Sequence, residues 1–225
     1  MRTVAVIALK GGSGKTTLAA HLALAAHLRG VDTLVVDIDP QRSIESLLGA
    51  RSGPGPACVT TSGAKLMAAQ FAAVGLHKQL LVIDTPAGAV EDVSEAIVLA
   101  DYAVMVVRPT LLDLAGLART LAIVRRLGKP STVVVNQAPA PRENVEAPLV
   151  KRALRALEHM QAPVAPIIVR SRSIYQTALE TGRSAEESSD AVAANEIAAL
   201  WDVIGTAIAA TAPQTSSLAQ REPRR

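Results

Sequence analysis

The sequence predicts an α/β domain built on a doubly wound, mostly parallel sheet with helices on both faces. Three observations carry that expectation. Short β-branched runs alternate with longer helical patterns; a glycine-rich stretch joins the first run to the first helical pattern; and the runs are continuously apolar, as in strands buried on both faces. With 225 residues the chain has length for one such domain and too little for two with a linker.

Taken in order, residues 4–9, 33–37 and 80–84 read as the first three strands, and 102–107, 132–135 and 164–169 as three more. Leu18, Leu22 and Ala25 recur at helical spacing after the first strand. Residues 114–127 form a second helical pattern behind Asp113, which reads as its N-cap. A third, at 195–210, carries the lone Trp201, expected in the core. Residues 52–56 and 138–142 are Gly/Pro-bearing loops. The expected organisation is one α/β domain over residues 1–211 and a disordered, polar tail over 212–225.

Composition narrows the partners. Hydrophobic residues make up 49% and charged residues 19%, enough apolar content for a core. Net charge is +3 with a pI near 9.3, and arginines gather in the second half, which leaves room for an anionic partner. Aromatics are only 2%, so base stacking on aromatic platforms is excluded and any nucleic-acid contact is expected to be electrostatic. The single cysteine, Cys58, supports neither a disulfide nor a cluster and points to a reducing compartment. His21, His27, His77 and His159 show no ligand spacing and read as structural or surface residues. Residues 4–9 are too short for a signal segment, and no stretch reads as the roughly 18 apolar residues of a membrane span. The expectation is a soluble, cytoplasmic protein.

Lys10-Gly11-Gly12-Ser13-Gly14-Lys15-Thr16-Thr17 follows a strand and opens a helix, the context of a phosphate-binding loop. Glycines let the backbone turn so that successive N–H groups converge on phosphate oxygens at the positive end of the helix. Lys15 is placed to reach the β- and γ-phosphates, and Thr16 to ligate Mg²⁺. Position 9 is Leu where the ordinary loop has its first glycine, and an extra lysine, Lys10, stands at the entrance. Two further segments, Asp37-Ile38-Asp39-Pro40-Gln41-Arg42-Ser43 and Asp84-Thr85-Pro86-Ala87-Gly88, end the second and third strands, where α/β sheets bind ligands.

The string from Lys10 to Thr17 resembles the deviant Walker A motif of the ParA/MinD family of P-loop NTPases, and the resemblance extends from Arg2 to about Ala210. It implies ATP and Mg²⁺ as cofactors, with Gly11, Gly12, Ser13, Gly14, Lys15, Thr16 and Thr17 cradling the nucleotide. It implies that Lys10 reaches across a nucleotide-sandwich homodimer, that Asp39 positions the attacking water, and that Asp84 and Asp37 sit in the metal's outer shell. Gly88 is implied as a backbone contact to the γ-phosphate. The family often has a second proline where this chain has Ala87.

Asn136 ends a strand where related ATPases hydrogen-bond adenine, although Asn is also a common turn residue. The stretch Arg170-Ser171-Arg172-Ser173-Ile174-Tyr175 resembles a segment of small partition ATPases. Arg170 and Arg172, then Lys151, Arg152 and Arg155, are the candidates for non-specific double-stranded DNA; positions 151 and 155 share one helix face. The bland alternative is a solvated charged face.

The functional expectation is a switch: ATP closes two subunits, the dimer binds DNA on the nucleoid, and a ParB-like adaptor stimulates slow hydrolysis. A MinD-like membrane ATPase is the first alternative, weakened because residues 214–225 have charge but almost no apolar face. A metabolic P-loop ligase is the second, with no residues to point to as a substrate site. A nitrogenase-type iron protein is excluded by the cysteine count.

Overall fold

The computed structural model describes residues 1–211, so the tail expected at 212–225 lies outside the described residues. In chain order the elements are β1 (Arg2–Ile7), α1 (Lys15–Leu28), β2 (Thr33–Asp37), α2 (Ser43–Gly49), β3 (Ala57–Thr60), α3 (Leu66–Gly75) and β4 (Leu80–Asp84). There follow α4 (Val90–Leu99), β5 (Tyr102–Val107), α5 (Leu111–Arg126), β6 (Ser131–Val135), α6 (Pro148–His159), α7 (Ile174–Thr177) and α8 (Ala191–Ala210).

All strands run parallel in the order β3-β2-β4-β1-β5-β6, so chain direction reverses about the central β1, where the glycine-rich loop leaves the sheet. Register places Asp37 of β2 directly beside Asp84 of β4 at their carboxyl ends. Side chains alternate across the pleat. Val4, Val6, Val35, Val82 and Val104 pack on one face under α1 and α8, whereas Ala5, Ile7, Leu34, Val36, Ile83 and Met105 pack on the other against α3, α4, α5 and α6. Trp201 is buried in the first of these layers, as expected.

Three expectations are corrected. The segment 164–169 is not a strand of the sheet: it lies along β6 through isolated parallel bridges, Val133 to Val164 and Ala138 to Arg170. Pro166 has no N–H, so a continuous ladder cannot form there. The sixth strand is instead β3 at the opposite edge, which its loop-like neighbours 52–56 concealed. Second, α5 begins earlier than expected; its N-cap is Thr110, whose side chain accepts from the Asp113 N–H, and Asp113 is an in-helix residue. Third, α8 is by length and composition apolar enough to cross a membrane, the single such helix among the described residues. Ala193, Ile197, Leu200, Trp201, Ile204 and Ile208 recur at helical spacing on its buried face, the pattern of a helix covering a core.

His21 of α1 shows how tightly that layer is closed. The Ala185 N–H donates to Nδ1, so Nε2 carries the proton and faces the Tyr175 carbonyl at 3.0 Å. Burial drives the ring pKa down to about 4, with the Tyr175 carbonyl opposing. Unfolded His titrates near 6.5, so the unfolded chain binds the proton more tightly, and stability falls as pH drops from about 6.5 toward 4. Between pH 7.5 and 5 this one residue should remove about 2 kcal/mol, read from urea midpoints. A His21→Asn variant showing the same pH slope would assign the acid sensitivity elsewhere.

Candidate functional site

The loop between β1 and α1 is shaped by two glycines with positive φ, Gly12 at 76° and Gly14 at 86°. A side chain at Gly14 would collide with the Asn136 amide, so only glycine fits the opening of α1. Asn136, buried at the end of β6, donates from Nδ2 to the Ser13 carbonyl at 2.8 Å. Gln137, itself in the left-handed region at φ 53°, donates to the Gly12 carbonyl at 3.3 Å. The outer wall of the loop is therefore fixed by side chains from β6, and the N–H groups that open α1 meet no acidic residue in its first turn. That leaves a preorganised anion site.

Lys15 is buried, 6% exposed, and burial pushes its ammonium below the usual range while Asp84 and Asp39 pull it back up. Asp84 is fully buried, and apart from the Thr16 hydroxyl beside it neither carboxylate oxygen has a hydrogen-bond partner. Burial, with Asp37 beside it, pushes its carboxyl up to about 7 against the opposing pull of Thr16 and Lys15. Asp37 is likewise buried and raised chiefly by burial: one oxygen accepts the Asp39 N–H at 2.9 Å, the other has no partner. Asp39 stands half-exposed at the rim, its Oδ1 accepting the Gln41 N–H.

Such orphaned acceptors are costly unless something positive or donating fills the space between them. Among the described residues no three His, Cys, Asp or Glu side chains are grouped to hold a metal alone. Two carboxylates and the Thr16 hydroxyl therefore suit an oxygen-seeking, water-bearing cation such as Mg²⁺, brought in with phosphates. The fold brings Asp37 and Asp84 side by side with the Thr16 hydroxyl next to Asp84.

Lys10 behaves differently from Lys15. Its stem lies along α5 at Gly116, in a groove shared with Leu9, Gly88, Val90, Leu112 and Arg119. Gly88, at φ 77°, has open space around it, and Ala87 approaches Gly11. Exposed apolar side chains flank that groove, with Leu111 81% and Leu112 68% exposed.

On the other side of the loop a cavity of about 150 Å³ is lined by Gly14, Thr17, His21, Asn136, Arg172 and Tyr175 among others. It opens beside the phosphate loop, and Asn136 lines it while its amide nitrogen is engaged with the Ser13 carbonyl. Both leading arginine candidates are found here rather than on a free surface. Arg170 forks onto Glu146 and also donates to the Pro139 carbonyl, and Arg172 pairs with Glu196 at 3.0 Å. Glu196 is further bound by the Tyr175 hydroxyl at 2.6 Å and the Arg170 N–H at 2.9 Å. Lys151, Arg152 and Arg155, by contrast, are all exposed on α6, and among the described residues none has a carboxylate within ion-pair distance.

One residue escaped sequence reasoning. Arg108, following β5, hangs beside Gly12 and is gripped by Asp113, with Nε to Oδ2 at 2.6 Å and Nη2 to Oδ1 at 3.3 Å. Burial would raise the Asp113 carboxyl, yet Arg108, Thr110 and Lys10 together hold it below the usual range. An arginine before a proline at a strand end was the available signal.

Known proteins share this architecture. In a Rhizobium rhizogenes protein named as a replication protein A, 51 residues align at 47% identity, 23% of this chain and 13% of that protein. The chain thus spans about an eighth of that relative's length. The maintenance of carboxysome distribution protein A of Halothiobacillus neapolitanus is 26% identical over 191 residues, 81% of this chain and 85% of that one. The solved structure of apo McdA from Cyanothece superposes with a TM-score of 0.77 at 19% identity, covering 91% of this chain and all of that one. The family described as CobQ/CobB/MinD/ParA nucleotide binding domain matches residues 4–184, and the chain belongs to it.

Proposed function

We propose that this protein is an ATP-dependent positioning switch: two subunits close over ATP and Mg²⁺, the closed pair holds non-specific duplex DNA, and slow hydrolysis stimulated by an adaptor releases it. The observation that carries the reading is the division between the two lysines. Lys15 is buried within the loop among Asp84 and Asp39, whereas Lys10 is laid outward along α5 in a groove edged by exposed leucines. A cation so placed serves a second copy better than its own phosphates. Mg²⁺, held with Thr16, Asp37 and Asp84, would neutralise charge on the phosphates, and Asp39 at the rim would orient the attacking water. The relative named for maintenance of carboxysome distribution supports a cargo-positioning role; a cytoplasmic, nucleoid-associated location is part of the same proposal.

α6 is the surface we assign to DNA in this proposal. Lys151, Arg152 and Arg155 are exposed and unneutralised, while Arg170 and Arg172 already have carboxylate partners. Phosphate contacts act through counterion release, and pairing two subunits doubles them. Unrelated duplex DNA should bind only with ATP and Mg²⁺ and weaken steeply with salt. Converting Lys151 and Arg155 to Glu should lower DNA affinity by at least ~10-fold at ~0.1 M salt, with nucleotide binding retained. Fluorescence anisotropy of labelled DNA reads this directly. DNA binding without nucleotide, or unaffected by the charge reversal, would remove this surface from the account, and ATP-dependent capture by anionic vesicles would favour the membrane alternative.

A further inference from the structure

We propose that Arg108 is a second cation delivered across the closed pair, acting beside Lys10 on the partner's nucleotide phosphates and held for that task by Asp113. This rests on the reading that two copies close over nucleotide.

The placement is specific. Arg108 extends from the carboxyl end of β5, next to the central strand that carries the phosphate loop. Its Nε and Nη2 are spent on Asp113, which also accepts the Thr110 hydroxyl at 2.9 Å. Nη1 remains, and it lies 3.6 Å from where a Cβ on Gly12 would stand, so it borders the exposed apex of the loop. A third of the side chain, 35%, is open to solvent. Asp113 is 2% exposed and sits one helical turn before Gly116, where the Lys10 stem rests. The two cations therefore both act on one buried carboxylate, Arg108 beside Gly12 of the phosphate loop and Lys10 in the groove it shares with Leu112.

Charge on that face decides what can dock there. Lys10 and Arg119 line the groove, Arg108 stands nearby beside Gly12, and Asp113 is ion-paired only with Arg108. Two such faces brought together without nucleotide would repel, whereas phosphates lying between them would be gripped from both sides. An arginine fork already fixed by a carboxylate loses little freedom on meeting a phosphate, which suits it better than a free lysine. The partner chemistry is a nucleoside triphosphate bound in a second copy of this chain.

The test compares Arg108→Ala, Arg108→Lys and Asp113→Asn by sedimentation with ATP and Mg²⁺, alongside fluorescent-nucleotide titration at concentrations where the subunit is monomeric. Arg108→Ala should weaken ATP-dependent dimerisation by at least ~10-fold more than it weakens nucleotide binding to the lone subunit. Arg108→Lys should recover part of the loss, and Asp113→Asn should show an intermediate loss because the fork is no longer aimed. Thermal melts establish that each variant is folded. Equal losses in dimerisation and monomer binding would make Arg108 a wall of its own loop and overturn the proposal, as would unchanged dimerisation. A parent protein that stays monomeric with ATP would overturn the switch reading as well, so the two failures are told apart.

Discussion

Lys15→Ala is expected to lower ATP affinity by ~10²-fold or more and to remove dimerisation and DNA binding with it. The ammonium is buried at the mouth of α1, so its removal leaves converging backbone N–H groups without the one mobile charge that meets the outer phosphates. Nothing replaces it: Lys10 is turned away along α5 and Arg108 is tied to Asp113. Lys10→Ala makes the contrast. Its stem lies against α5 at Gly116, so nucleotide binding should survive within ~2-fold while ATP-driven dimerisation is lost. Isothermal titration and sedimentation of both variants give the answer. A Lys10→Ala protein that dimerises and hydrolyses ATP would remove the trans-lysine from the mechanism.

Asp84→Asn is expected to act in opposite directions on stability and on function. The folded protein buries a carboxylate that has no hydrogen-bond partner beyond the Thr16 hydroxyl beside it, next to an Asp37 oxygen with none. An amide is neutral and brings a donor to the Asp37 side, so the nucleotide-free variant should gain ~1–3 kcal/mol and melt roughly 5 °C higher. Because the folded carboxyl is raised to about 7, the folded state holds the proton more tightly, and ionisation lowers stability as pH rises from about 4 through 7. The gain is accordingly largest above pH 7 and vanishes in acid. Mg²⁺-dependent ATP affinity should meanwhile fall by ~10–100-fold, the usual cost of removing a supporting carboxylate. A variant melting no higher than the parent, with its Mg²⁺ dependence intact, would mean that the orphaned oxygens are neither a cost nor a metal site.

Much of this site is legible in the sequence because its parts are contiguous. The span Lys10 to Thr17 specifies both a turn and the chemistry it serves, and the aspartates at 37, 39 and 84 announce themselves by ending apolar strands. Side-chain partnerships between distant segments are not legible in that way. Arg170 and Arg172 look like free cations until Glu146 and Glu196, more than twenty residues away, are folded against them. Arg108 belongs to no motif, and only the fold sets it beside Gly12. Asn136 was found by its place at a strand end, but its grip on Ser13 spans 123 residues and is set by strand order. The misplaced strand follows the same logic, since 164–169 is as apolar as a strand and only its prolines decide how far it pairs.

Those prolines bear on the switch proposed above, which requires copies that assemble and come apart. The segment beside β6 offers an incomplete row of donors, and β3 at the other margin is only four residues long. Neither border of the sheet is an inviting template for another chain to zip onto. With both borders blunted in this way, self-association of the proposed kind is directed to the nucleotide-bearing face, where bound ATP would grant or withdraw it.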